Sequence, residues 1–318
     1  MDMNVPRELL LPAPSRSTGS AEALKTEYFF SEQLSAFYDA EQHAMWLRWN
    51  PGPRPNFNPG LLQDLDRYCQ FVSHSGGTFQ HKGKNLPLEY AVLGSRVPGV
   101  FNLGGDLCLF ARLIDAQDRQ ALLEYGLACV NVLYRNYQGH GLPITTISLV
   151  QGQCLGGGFE AALSSDLIVA ERQARFGFPE ILFNLFPGMG AYSFLERKVG
   201  KRAAERLISS GKLYSADDML AQGVIDLVVE QGCGEAEVVN LIKSRGRHRN
   251  ALAGIAAARR CVHKLDYEEL LAVVEVWVDT ALSLTSRDLK LMQRLVSRQN
   301  DLRLSEHQHD IVMARQLH

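Results

Sequence analysis

Blocks of apolar and polar positions succeed one another along the chain with changing period. Residues 31–49 read as strand, ending in AMWLRWN. The next ten residues, PGPRPNFNPG, hold four prolines and two glycines, and proline continues neither a ladder nor a helix interior, so a loop is predicted. LLQDLDRYCQFVS then has helical spacing, with Asn58 or Pro59 as its start. Residues 88–93 predict a strand, 95–98 a turn, and 100–103 a second strand that Gly104 and Gly105 end. LCLFARLID and RQALLEYGLACVNVLYRNYQG are helical in period. PITTISLVQG is a β-branched strand closed by Gly152, and a glycine cluster opens a helix through Ser164. DLIVAE and ARFGFPE are short strands. Beyond Gly200 the pattern is helical: KRAAERLISSG, SADDMLAQG with Ser215 as its cap, and a long helix over 267–284.

Strands alternating with helices predict an α/β fold with right-handed crossovers. Residues 1–25, rich in Pro, Ser and Thr, predict a flexible arm. A core over 26–200 and a helical region over 201–318 complete the expected organisation.

Composition narrows the function classes. With 318 residues, 46% hydrophobic and 21% charged, the chain has the means for a large core without metals or disulfides. A net charge of −2 argues against nucleic acid or an anionic membrane surface as partner. No apolar run nears the ~20 residues of a membrane span, and the N-terminal residues show no signal-peptide pattern. The six cysteines form no CxxC pair and predict buried, reduced thiols in a cytoplasmic protein. The nine histidines lack metal spacing; His307 and His309 fall in a polar tail. Neither a metal nor a cofactor is expected.

The candidate chemistry lies in CLGGGFEAALSSD and RFGFPEILF, two apolar stretches that each hold one glutamate, Glu160 and Glu180. Glycines at a strand-to-helix junction permit a tight turn and close approach of backbone N–H groups. The first N–H groups of a helix lack intrahelical partners and suit an oxyanion. Gly157 and Glu160 stand three apart and share a helix face. VFNLGGDL also ends a strand in glycines and an acid, which places a second donor at Leu103 or Gly104. Two donors and two carboxylates form a complete acyl-chemistry site. Neither a dinucleotide fingerprint nor a P-loop is present.

These segments resemble the crotonase superfamily. VFNLGGDL is similar to F-x-x-G-x-D-[LI]. VQGQCLGGGFEAALSSDLIVAERQARFGFPEI is similar to V-x-G-x-x-x-G-G-G-x-E followed by C/S-D-x-x-x-A and F-x-x-P-E. Order and spacing match over about residues 88 to 230. The resemblance implies a ββα spiral core, acyl-thioester substrates, and C-terminal helices that mediate trimerisation and cover the pocket. It aligns Leu103 and Gly157 with the oxyanion donors, and Glu160 and Glu180 with the two glutamates of the hydratases. Gly104, Gly156, Met189 and Trp277 are further candidates for substrate binding.

Three features resemble one branch of the superfamily, the bacterial diffusible-signal-factor synthases (the RpfF type): the block AMWLRWNPGPRPNFNPGLLQDL, Leu103 in place of a small residue, and the aromatic stretch after Glu180. That resemblance spans about residues 25 to 300. It implies a dehydratase and thioesterase acting on 3-hydroxyacyl carrier-protein thioesters to give a cis-2-unsaturated fatty-acid signal. It also implies a homotrimer or hexamer and a regulatory protein partner. The competing expectations are an enoyl-CoA hydratase of fatty-acid degradation and a non-catalytic protein that binds acyl thioesters. Arg287, Lys290, Arg294 and Arg298 recur at near-helical spacing, a solvated face by default and otherwise a dock for an acidic carrier protein or coenzyme A phosphates.

Overall fold

The computed structural model describes residues 25–297. All of the predicted arm except Lys25, together with Arg298, His307 and His309, lies outside the described residues. The chain opens with strands β1 (Lys25–Ser31), β2 (Leu34–Asp39) and β3 (Ala44–Trp49), then helix α1 (Pro59–His74). A hairpin follows, β4 (Thr78–His81) and β5 (Lys84–Pro87), then β6 (Tyr90–Ser95), β7 (Val100–Asn102), α2 (Leu107–Asp115) and α3 (Arg119–Tyr137). Next come β8 (Thr145–Val150), β9 (Gln153–Leu155), α4 (Gly157–Leu163), β10 (Leu167–Glu171) and β11 (Arg175–Gly177). The remainder is α5 (Ala191–Val199), α6 (Lys201–Ser210), β12 (Tyr214–Ser215), α7 (Ala216–Ala221), β13 (Leu227–Val229), α8 (Gly234–Gly246), α9 (Arg249–Val262) and α10 (Tyr267–Leu282).

The strands divide between two sheets in a repeating way. The larger has the order β1-β2-β3-β6-β8-β10-β13, and the smaller β12-β11-β9-β7. Strands β3, β6, β8, β10 and β13 pair in parallel, as do β7, β9 and β11. Each strand pair therefore gives its first member to the large sheet and its second to the small one before the chain returns. This is the expected ββα spiral with a helical C-terminal region.

Local chemistry accounts for the boundaries. Asn58 caps α1 by accepting from the Leu61 N–H at 3.0 Å, and Pro59 takes the first helical position, where a missing N–H is harmless. Ser215 and Asp218 form a capping box on α7. The hairpin β4–β5 and strand β1 have no counterpart in the sequence reading, because their polar alternation is weak.

The main apolar core lies between the sheets and the helices, with Trp49, Phe101, Phe159, Phe176 and Trp277 fully buried. A second cluster on the other face of the large sheet is covered by Val238 and Ile242 of α8. The cysteine expectation holds for half of the set. Cys69, Cys129 and Cys154 are buried, whereas Cys233 and Cys261 are exposed. Cys261 lies on α9, none of whose residues is buried, so an apolar setting in sequence did not translate into burial. Among the described residues no helix is long and apolar enough to cross a membrane, and no cluster of potential ligands suits a metal ion.

Candidate active site

The glycine cluster shapes the site by its backbone. Gly156 caps α4 with φ 50° and ψ −125°, and a Cβ there would run into Oε1 of Glu180. Gly104 has φ +97°, and its Cβ would lie 2.9 Å from the Gly157 nitrogen. Both positions need glycine, for conformation and for close approach. Neither borders the cavity through a side chain, so their part in substrate binding reduces to bringing two loops together.

Glu160 follows one turn into α4 and is 1% exposed. One oxygen, Oε1, accepts from the N–H groups of Met189 at 2.8 Å and Ala191 at 3.0 Å. Burial pushes its pKa up to about 7, and these two donors offset part of the rise. Glu180 begins a short 3-10 turn and is half-buried. Its Oε2 is buried without a hydrogen-bond partner. Burial raises its pKa to about 8, and the charge of Glu160 adds to the rise. Two carboxyl groups in a dry setting, each disfavouring the other's charge, hold one proton between them near neutral pH.

Both glutamates border an apolar cavity. Its wall includes Phe110, Tyr125 and Cys129, and the aromatic stretch after Glu180 supplies Phe183, Phe186 and Met189. Trp277 comes from α10 and packs so closely on Gly188 that a Cβ there would strike its ring. Met189 and Trp277 thus both border the cavity. Met189 contributes more through its backbone N–H, a role that no residue pattern marks.

The oxyanion assignment is corrected at one of its two positions. Gly157, at the start of α4, lines the cavity, and its N–H makes no hydrogen bond to a described residue. Leu103 does not serve. Its N–H donates to the Pro55 carbonyl at 2.8 Å, and its side chain packs with Val100 and Leu155, away from the cavity. The Leu103 side chain therefore does not reshape the pocket. The Gly104 N–H is also engaged, by Oδ1 of Asn102 at 2.8 Å. The available donor is Gly105, which lines the cavity and whose N–H has no described partner. A Cβ on Gly157 would lie 3.5 Å from the Gly105 nitrogen, so the two donors are neighbours. The second glycine of the pair was the available signal.

The proline-rich loop holds this arrangement from outside. Besides the Pro55 contact, the Phe57 N–H donates to the Gly104 carbonyl at 2.8 Å. The Tyr125 hydroxyl donates to the Phe57 carbonyl at 2.5 Å. Among the described residues no serine or histidine lines the cavity, and burial pushes the Cys129 thiol up, so it stays protonated. Arg287, Lys290 and Arg294 are exposed on a helical segment over 286–297, and none borders the cavity.

The sequence profile of the family described as enoyl-CoA hydratase/isomerase matches residues 78–273. Among solved structures, an enoyl-CoA hydratase from Bacillus halodurans has a TM-score of 0.68 at 20% identity, with 83% of this chain and 100% of that one covered. Human mitochondrial delta3-delta2-enoyl-CoA isomerase has a TM-score of 0.68 at 20% identity, covering 85% and 99%. DspI of Pseudomonas aeruginosa has a TM-score of 0.61 at 22% identity, covering 75% and 91%.

Proposed function

The chain belongs to the enoyl-CoA hydratase/isomerase family, and from that membership we propose that it dehydrates 3-hydroxyacyl thioesters and then hydrolyses the thioester. The product is a free 2-unsaturated fatty acid of the diffusible-signal type. The observation that carries the reading is the pair Glu160 and Glu180 on one apolar cavity beside two unpartnered N–H donors.

In the first step the N–H groups of Gly105 and Gly157 hold the thioester oxygen and stabilise the enolate. The ionised carboxylate takes the C2 proton, and the protonated one gives its proton to the C3 hydroxyl, which leaves as water. The pair ends with its single proton moved from one member to the other, and the proton returns, directly or through solvent, before the next dehydration. In the second step water attacks the thioester carbonyl, a carboxylate accepts its proton, and the thiol leaves protonated. With no serine or histidine among the described residues on the cavity and a neutral Cys129, water rather than a side chain is the nucleophile in this reading.

Carrier-protein thioesters are the preferred substrates in this reading, and the protein works as a homotrimer or a hexamer. The pair of glutamates serves hydration of an enoyl-CoA equally well, which keeps plain hydratase activity as the second reading. Purified protein given a medium-chain 3-hydroxyacyl carrier-protein thioester is expected to release a free 2-enoic acid, read by mass spectrometry. An enoyl product that stays on the carrier refutes the hydrolytic half and favours the hydratase. A trapped acyl-enzyme refutes attack by water.

A further inference from the structure

A second cavity adjoins the first. Among the described residues, three side chains are common to their walls: Phe57 from the proline-rich loop, and Val132 and Leu133 from α3. The second cavity is lined mainly by apolar groups, Trp49 and Ala91 among them. It contains one anomaly. His140 is 5% exposed, lines the cavity, and neither of its ring nitrogens has a hydrogen-bond partner. Its backbone stands in the left-handed region at φ 58°, between Gly139 and Gly141, which are left-handed too. A buried, unpaired imidazole on a strained turn is unexpected in a structure closed for packing alone.

The wall of the first cavity at Trp277 is closed by packing. Trp277 is pressed against Gly188 and stacks edge-on against Phe110 with centroids 5.1 Å apart. A chain whose first carbons lie at Glu160 and Glu180 reaches the second cavity past Phe57, Val132 and Leu133, the side chains that both walls share.

We propose that the second cavity is an acyl-tail chamber, entered between Phe57, Val132 and Leu133 and ended by His140, which takes the distal methylenes of a medium-chain acyl group. The proposal rests on the acyl-thioester reading of the first cavity. Burial lowers the His140 pKa to about 4, so the ring that ends the chamber is neutral at physiological pH and tolerates an apolar neighbour.

Two measurements on the full chain test this. In the first, dodecanoic acid brominated at its terminal carbon is titrated into the protein and tryptophan fluorescence is read. Bromine in the chamber lies beside Trp49 and quenches it, and Trp49→Phe is expected to lose at least about half of the quenching. Ala91→Phe, which fills the chamber from β6, is expected to reduce it likewise and serves if Trp49→Phe does not fold. No quenching, or equal quenching in the folded variants, overturns the chamber. In the second, kcat/KM is compared for 3-hydroxydodecanoyl and 3-hydroxybutanoyl carrier-protein thioesters. In Ala91→Phe the long-to-short ratio is expected to fall about fourfold for each methylene excluded. A folded Ala91→Phe with an unchanged ratio also overturns the chamber. Tail-dependent quenching in a protein that turns over neither thioester refutes the dehydratase reading and leaves the chamber standing.

Discussion

Replacing Glu160 with glutamine is expected to stabilise the protein at alkaline pH while disabling it. The folded carboxyl has a pKa of about 7 against 4.5 for the free side chain. The unfolded chain therefore gives up this proton first as pH rises. Stability falls through the window from 4.5 to about 7 and levels off above it. At ~1.4 kcal/mol for each pH unit, the buried carboxylate costs the folded state about 3 kcal/mol at pH 8 and under about 1 kcal/mol at pH 5. Glutamine carries no such penalty, and its carbonyl still accepts from the Met189 and Ala191 N–H groups. Its amide adds an unpaired donor, which costs the same at both pH values. The readout is thus the difference between the two pH values, about 2–3 kcal/mol in favour of Glu160→Gln at pH 8. Urea unfolding of both proteins at equal concentration gives it directly. The variant, and Glu180→Gln likewise, is expected to lose at least about 10²-fold in dehydration. A Glu160→Gln protein that gains nothing between pH 5 and pH 8 refutes the buried-carboxylate argument.

Three other outcomes follow from the same geometry. Dehydration should show a bell-shaped pH profile, its kcat/KM limbs near about 7 and about 8 reporting the pair as a unit, and a flat profile from pH 6 to 9 would contradict it. Gly156→Ala, whose Cβ meets the Glu180 carboxylate at a φ of 50°, should reduce kcat at least about tenfold; Gly246→Ala, on α8 with open space around it, should keep wild-type turnover. Ile255 and Val262 on α9 are 64% and 77% exposed, so light scattering at micromolar concentration should find an oligomer, and Val262→Glu should shift it toward the monomer.

Residues close in sequence were the legible part of this site. Gly157 and Glu160 are one helical turn apart, so period alone placed them on one face. Glu180 was visible as an acid inside an apolar run. The spiral was legible as alternating strand and helix periods. Leu103 failed for a nonlocal reason: whether a backbone N–H is free depends on Pro55, 48 residues upstream, and no pattern around Leu103 reveals that carbonyl. The clamp on Glu160 was hidden for the same reason, because it uses backbone atoms of Met189 and Ala191, whose side chains carry no trace of it. Phe57 and Tyr125 enter the cavity wall from opposite ends of the N-terminal half, a meeting that only the assembled sheets produce.

The bonds from Met189 and Ala191 back to Glu160 have a consequence for inheritance. The chain runs from Gly156 through Glu160, past Glu180, and returns at Ala191 to hold the carboxylate it began with. Both acids, one oxyanion donor and the clamp thus travel in one uninterrupted segment of 36 residues, from 156 to 191. Recombination that cuts inside this segment separates an acid from the group that orients it. Recombination at its ends transfers most of the chemistry intact and leaves the recipient to provide the Gly105 loop. Chimeras of this protein with a relative should therefore tolerate crossovers near residues 150 and 200 far better than crossovers between 165 and 185.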